Sequence, residues 1–443
     1  MSEGVAGSHA GGGSGKTVLL MANLDTRGPE FVALKDLVVE LGLQPLLLDF
    51  SMEQAPPPGA DIRCEEVARA GGLDIETVRA KYPSERKIST DCMIRGARTI
   101  VKRLFDEGRI DGAFGAGGAT STLICTSAWR ALPFGFPKVM GTSIASLARY
   151  VENCVGTRDV TMLHTVVDVM GSNALLDQQL RNGVGAVCGM ARVYEARKVR
   201  RSKPVVGVTS FGFAERCVEP ALALLRAEGF EAVPFHAQGK GDRAFDELIR
   251  EGMIAGALDL TPRGLSEQLL GGNGGAGDDR LLAAAEVGLP MVVAPSGFDM
   301  LAVGGQPGWE ERYRGRRQAR IDELRVMVRT TVEECRQTAR AVADRLNACR
   351  APYLFLLPLE GWSSLDREGR PLHDPVADQA FHEELVGLLD QPERIRLVPA
   401  NLYTPEFGEA CVKAFLEVWT EAGGVLPPAE SGLSSASGAE EPA

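Results

Sequence analysis

VLLMANLDTRGPEFVALKDLVVELGLQPLLLDF, residues 18–50, is matched without a gap by VVGVTSFGFAERCVEPALALLRAEGFEAVPFHA, residues 205–237. Each stretch reads apolar strand, polar turn, amphipathic helix, glycine, apolar strand, with Gly42 and Gly229 in register. That sequence of periodicities belongs to a βαβ unit. Two further matches keep the order: EGRIDGAF at 107–114 with EGMIAGAL at 251–258, and PKVMGTS at 137–143 with PMVVAPS at 290–296. Self-similarity on this scale means two copies of one architecture.

Short Val/Leu/Ile runs alternate with helical segments, the pattern of a parallel sheet covered on both faces. The fold class is therefore α/β, with two doubly wound, Rossmann-like domains related by internal duplication. A chain of 443 residues also suits two domains of about 200 residues each. Gly, Ser, Pro and Ala dominate residues 1–16 and 427–443, which predicts disordered tails because so little apolar surface can be buried. Between them we expect an N-terminal nucleotide-binding domain over 17–200 and a C-terminal domain over 204–426, divided at KVRRSKP, residues 198–204. Residues 51–90 have no equivalent in the second copy and read as an insertion near the loop rim. In residues 327–349, the spacing of Val328, Val332, Cys335, Ala339, Val342 and Leu346 predicts one core-facing helix.

A net charge of −11 argues against nucleic acid and anionic membranes as partners. No run of about 18 apolar residues exists, and the N-terminus lacks a signal-like apolar stretch, so a cytoplasmic protein is expected. The nine cysteines form no C-x-x-C pair and the five histidines no ligand cluster, so no dedicated metal site is expected. AGGGSGKT, residues 10–17, imitates a phosphate loop. Such a loop follows a strand and opens a helix, whereas this one runs into a strand, and it is read as tail.

Ligands of open parallel sheets bind beyond the carboxyl ends of the strands. After the first strand this selects Asp25, Thr26, Arg27 and Gly28. Arg27 can clamp an anion, Asp25 can accept from a ribose or help hold a metal, and Gly28 permits close backbone approach; equally, Asp25 or Thr26 can cap the following helix. After DGAF come Gly115, Gly117, Gly118, Thr120 and Ser121, then a helix. Small residues, hydroxyls and a helix N-terminus make this the best phosphate cradle, although the dinucleotide fingerprint would need glycine at Thr120. Thr142 and Ser143 add hydroxyls beside it. In the second copy the equivalent ends carry His236, Gly239, Lys240, Gly241 and Asp259, and a later strand ends at Glu360. His236, Asp259 and Glu360 are candidate acid-base groups, and Lys240 can neutralise a phosphate or carboxylate.

The same loops resemble a known family, the ATP-binding domain family that includes the tomato mosaic virus resistance protein. The resemblance rests on LDTRGPE at 24–30, GAGGATST at 115–122, VGTRDVTMLHTVVDVMGSN at 155–173, FHAQGKGDRAFDELIREGMIAGALDLT at 235–261 and LPLEGWSSLDREGRPLHDPVAD at 357–378. It implies two doubly wound domains, ATP binding and a homodimer, and in the plant relative the same domain type inhibits a viral replication protein. Ala119 and Thr120 depart from the family's usual glycine loop, which bears on the phosphate contacts.

The leading expectation is a nucleotide-binding protein, its ligand ATP with or without magnesium, held at the strand ends of the N-terminal domain near an interdomain cleft. The alternatives are an enzyme acting on a small anionic metabolite and a nonenzymatic inhibitory module.

Overall fold

The computed structural model describes residues 15–195 and 203–427, apart from the side chain of Arg149. Nearly all of both expected tails, and residues 198–202 of the expected linker, lie outside them. The chain divides into two compact units, 1–199 and 200–443.

The first unit runs β1 (Thr17–Ala22), α1 (Leu24–Glu40), β2 (Gln44–Asp49), α2 (Cys64–Ala70), α3 (Ile75–Lys81), α4 (Arg86–Asp106), β3 (Gly112–Ala116), α5 (Ala119–Trp129), β4 (Lys138–Thr142), α6 (Ala148–Val155), β5 (Thr161–His164) and α7 (Ala174–Val193). Its five strands are parallel, in the order β2-β1-β3-β4-β5. Alternate residues of β1 serve opposite faces, as a pleated strand requires. Val18, Leu20 and Ala22 pack with Phe31 of α1 and Val184 of α7. Leu19 and Met21 pack with Ile100 of α4 and Ile124 of α5. Burial on both faces is what turns the strand into a continuous apolar run.

The second unit runs β6 (Val205–Ser210), α8 (Glu215–Ala227), β7 (Glu231–His236), α9 (Lys240–Arg250), β8 (Gly256–Asp259), α10 (Gly264–Leu270), α11 (Ala283–Val287), β9 (Met291–Val293), β10 (Met300–Ala302), α12 (Trp309–Arg312), β11 (Gln318–Arg320), β12 (Val326–Arg329), α13 (Val332–Asn347), β13 (Tyr353–Pro358), α14 (Pro375–Leu388), β14 (Ile395–Val398) and α15 (Pro405–Glu421). The main sheet is again parallel, ordered β7-β6-β8-β9-β13-β14. Counted from its own first strand, it repeats the first unit's order and adds one strand at the far edge.

The repeat extends to the turns. Gly42 and Gly229 have φ of +72° and +84°. In each copy the glycine N–H bonds three residues back and the next N–H five residues back (Gly42 to Val39, Leu43 to Val38; Gly229 to Arg226, Phe230 to Leu225). Both helices thus end in the same left-handed glycine motif.

Two expectations need correction. Residues 326–329 are strand β12, not helix, and Val328 belongs to a small cluster with Leu301 and Tyr313. The helix starts at Val332 behind the Thr331 cap, where the Thr331 hydroxyl accepts the Glu334 N–H and the Glu334 carboxylate accepts the Thr331 N–H. The preceding strand joins a three-stranded antiparallel sheet, β10-β12-β11, with no counterpart among the described residues of the first copy. The insertion over 51–90 is not confined to a rim. Cys64, Val67, Ile75 and Val78 are buried in the core beneath α4, and a Cβ on Gly96 would stand 1.8 Å from the Val67 carbonyl oxygen.

Eight of the nine cysteines are buried and Cys349 is half-buried; all are free thiols. Burial pushes the Cys64 thiol up to about 12, where it is no nucleophile at neutral pH. Among the described residues no helix is long and apolar enough to cross a membrane.

Candidate functional site

In the first unit the chain passes from β1 to β2 on one side, then crosses back to β3 on the other. The strand order therefore reverses between β1 and β3, and the crevice beyond their carboxyl ends is where doubly wound sheets bind ligands. Strand β1 delivers Asn23 and the first turn of α1, β3 delivers Gly117, Gly118 and the start of α5, and β4 delivers Thr142 and Ser143.

Asn23 ties these segments together. Its Oδ1 accepts from Ser121 Oγ at 3.0 Å and from Arg27 Nη1 at 2.9 Å. Arg27 Nε donates to the Val169 carbonyl at 2.8 Å, bringing in the loop after β5. Helix α1 is broken at Arg27, whose φ of −138° and ψ of 21° are not helical. Thr26 Oγ1 accepts from Arg27 Nη1 at 2.7 Å. Asn23 was not singled out in the sequence, because nothing local to an asparagine between strand and helix shows that it joins two loops; its side chain makes no cap hydrogen bond.

The remaining candidates divide into groups that face the crevice and groups that hold the scaffold. Asp25 does not cap α1: its Oδ2 accepts the N–H groups of Glu53 and Gln54 at 3.1 and 3.3 Å. A Cβ on Gly28 would meet the Pro57 ring at 2.5 Å, and one on Gly115 would meet Cys125 Sγ at 2.7 Å, so both glycines are required by packing. Gly117, at φ +154°, has Ser121 where a Cβ would stand. Gly118 has nothing within 4 Å of that position and opens α5, whose first turn holds no acidic residue. Thr120 is half-buried in that turn. Thr142 Oγ1 accepts from Thr122 Oγ1 at 2.9 Å, and Ser143 Oγ donates to Asp168 at 3.4 Å. Val166, in the same loop as Asp168, holds φ of +63°, a conformation that costs a β-branched residue about 1–3 kcal/mol and clusters at functional sites.

Burial lowers the Arg27 pKa, against the pull of Asp168, Glu30 and Asp25. Arg27 thus stands among three carboxylates. No group of three or more His, Cys, Asp or Glu able to hold a metal exists among the described residues. Magnesium asks less of a protein, since one or two carboxylates with substrate phosphates suffice. Asp25 and Asp168, which both act electrostatically on Arg27, are oxygen donors of the kind such an ion takes.

The second copy keeps the topology and changes the chemistry. In the gap-free alignment Asp259 stands where the first copy has Gly115, and Ala214 where it has Arg27. Asp259 is buried and engages Arg280 through both oxygens at 2.7 Å, with Thr209 Oγ1 donating to it at 2.8 Å. Asp242 and Asp246 complete the cluster at 3.1 and 3.3 Å from Arg280. Burial alone would depress the Arg280 pKa, yet the three carboxylates hold it well above its ordinary value. Burial pushes the Asp246 carboxyl up to about 7. Asp259 is thus enclosed in an ion cluster with Arg280.

Gly239 and Gly241 serve the entry to α9. Gly239 has φ of +74° and donates its N–H to Asp242 at 2.8 Å, and a Cβ on Gly241 would lie 1.9 Å from the His236 carbonyl oxygen. Lys240 is exposed at the first turn of α9, and Glu360 is exposed after β13. His236 ends β7 at the wall of a cavity of about 510 Å³, its ring 6.4 Å from that of Phe211.

Two family models match the chain. The N-terminal domain of the uncharacterised protein family UPF0261 matches residues 16–196, and its C-terminal domain matches residues 203–419. A UPF0261 protein of Clostridium tetani is 33% identical over 405 residues, covering 91% of this chain and 99% of its own. The ToMV resistance protein Tm-1 of Solanum lycopersicum is 32% identical over 363 residues, which are 80% of this chain and 48% of the tomato protein. A solved UDP-GlcNAc 2-epimerase of Methanocaldococcus jannaschii covers 63% of this chain at 7% identity and a TM-score of 0.22, too loose a superposition to carry an argument.

Proposed function

The chain belongs to the uncharacterised protein family UPF0261, and from that premise we propose that it binds ATP at the strand ends of its N-terminal unit, in the crevice between β1 and β3. The observation that carries this reading is the convergence, at the reversal of strand order, of Arg27 with the open N-terminus of α5 at Gly118. Backbone N–H groups and the helix dipole there offer a phosphate roughly half a unit of positive charge. Arg27 adds a charge-assisted donor. Ser121 and Thr120 supply hydroxyls, and Asn23 holds the two loops in register through its bonds to Ser121 and Arg27.

The three carboxylates near Arg27 favour the magnesium complex over the free nucleotide. A magnesium ion would neutralise phosphate charge there, with Asp25 and Asp168 as its protein partners. Because ionised carboxylates repel an uncompensated phosphate, ATP affinity should fall when magnesium is chelated. The resemblance to the tomato family also carries a homodimer, and sedimentation equilibrium of the full chain should return twice the monomer mass.

Isothermal titration with ATP, ADP and AMP, each with and without magnesium, tests the proposal. A saturable heat with magnesium-ATP is expected. Silence from all three nucleotides would sink it.

A further inference from the structure

The second copy's strand ends are not empty of function merely because Asp259 and Arg280 fill the place of a phosphate loop. Beside them lies the cavity of about 510 Å³, within the roughly 300–1,000 Å³ of ordinary small-molecule sites. One wall is Phe211, Gly212 and Phe213, the turn after β6. Another part of the lining is the antiparallel sheet, unmatched among the described residues of the first copy, through Ala302 of β10, Met327 of β12 and the hairpin residues Ile321 and Leu324. Leu324 is 74% exposed and Ile321 42%. Both add apolar surface at the cavity's margin that an apolar ligand would cover.

The polar part of the lining is one-sided. It includes His236, Arg263 and Arg325, with no carboxylate among the lining residues. Arg263 is 1% exposed and its guanidinium carbon lies 4.2 Å from the centre of the Phe211 ring. Its Nη1 and Nη2 are bonded to the Ala237 carbonyl and to Glu267, while its Nε has no acceptor. A buried donor without a partner is the kind of group a ligand's acceptor can satisfy. Arg325 is pinned at Nε by Asp322 at 2.6 Å, and that bond leaves its terminal amino groups out of the pair. The gap-free alignment supplies a second line of argument. Where the nucleotide crevice has Leu24, Asp25 and Thr26, this copy has Phe211, Gly212 and Phe213. Aromatic faces at the strand ends suit a flat apolar body, not a sugar-phosphate.

We propose that this cavity is a second ligand site, independent of the nucleotide site, for a small organic acid with a flat, unsaturated or aromatic body, its carboxylate met by Arg325 and His236 and its body lying against Phe211 and Phe213. The antiparallel sheet is then the part of the fold that builds the site. The Arg325 amino groups that Asp322 leaves out of its pair are charge-assisted donors, and a carboxylate accepts from them through two oxygens where the amide offers one, which favours the acid over its neutral isostere.

Titration of the full chain with cinnamate, cinnamamide and acetate, read by equilibrium dialysis, tests this. Cinnamate should bind saturably, and by about tenfold or more over both the amide, which lacks the charge, and acetate, which lacks the body. Arg325→Gln should bring the acid and amide together, Phe213→Leu should weaken both, and Arg27→Ala should leave cinnamate binding unchanged. No saturable binding at millimolar cinnamate overturns the site. An Arg325→Gln variant that still separates acid from amide overturns the recognition assigned to it, and a loss in Arg27→Ala moves the binding to the other unit.

Discussion

Arg27 is held by its neighbours on three sides. It links Asn23, Thr26 and the Val169 carbonyl, while burial makes its charged form harder to keep. On the proposed reading, a bound phosphate would supply a counter-charge at that point. Arg27→Ala should therefore weaken ATP binding by about 1–3 kcal/mol in isothermal titration, and unchanged affinity would remove the arginine from the site. Asp246 makes a different prediction. Its carboxyl is raised from 3.8 to about 7 by burial, so between those values the folded chain holds a proton that the unfolded chain has released. Its contribution is fully present below about pH 4 and is lost as pH rises through about 7. Urea unfolding at pH 5 and pH 7.5 should show the second unit losing stability with rising pH, and Asp246→Asn should flatten that dependence. An equal slope in the variant would contradict the assignment. Of these residues, Arg27 was legible in the sequence because an arginine in a strand-end turn has no simple structural reason to be there. Asp246 was not, since an aspartate on a helix reads as solvated until Arg280 is seen 3.3 Å away.

At the scale of the element, the repeat was legible wherever local chemistry is strict. Gly42 and Gly229 must adopt positive φ to end α1 and α8, which most other residues do at a cost. Gly42→Ala and Gly229→Ala should each lower stability by about 1 kcal/mol in urea melts; a neutral result at either would mean that the two turns are not equivalent. Residues 327–349 show the opposite case. Val328, Val332 and Cys335 keep helical spacing across a strand and a cap, so periodicity alone ran the helix too far upstream. The Thr331 and Glu334 pair was the readable stop, a capping box at the helix start. Thr331→Ala should cost about 1 kcal/mol, measured in the same melts, and no change would show that the cap is dispensable. The antiparallel sheet escaped reading because its strands are three or four residues long and gain their definition from tertiary pairing.

At the scale of the whole molecule, duplication explains the fold and divergence of the copies explains the chemistry. The first copy leaves Gly118 open beside Arg27, whereas the second fills the matching strand end with Asp259 and Arg280 and builds a sheet that walls a separate cavity. The loops at the first copy's strand ends were readable because each is contiguous in sequence. The cavity was not, because its lining comes from turns scattered between residues 211 and 327. If the first unit alone takes ATP, saturating nucleotide at about 100 times Kd should stabilise it by about 2.7 kcal/mol, visible as hydrogen-exchange protection over 23–28 and 117–122. The most direct test is a crystal structure of the full chain grown with magnesium and a nonhydrolysable ATP analogue. Phosphates at the N-terminus of α5, within hydrogen-bond distance of Arg27, are the predicted result. An analogue seated in the second unit's cavity, or no analogue in crystals grown at saturating concentration, would contradict it.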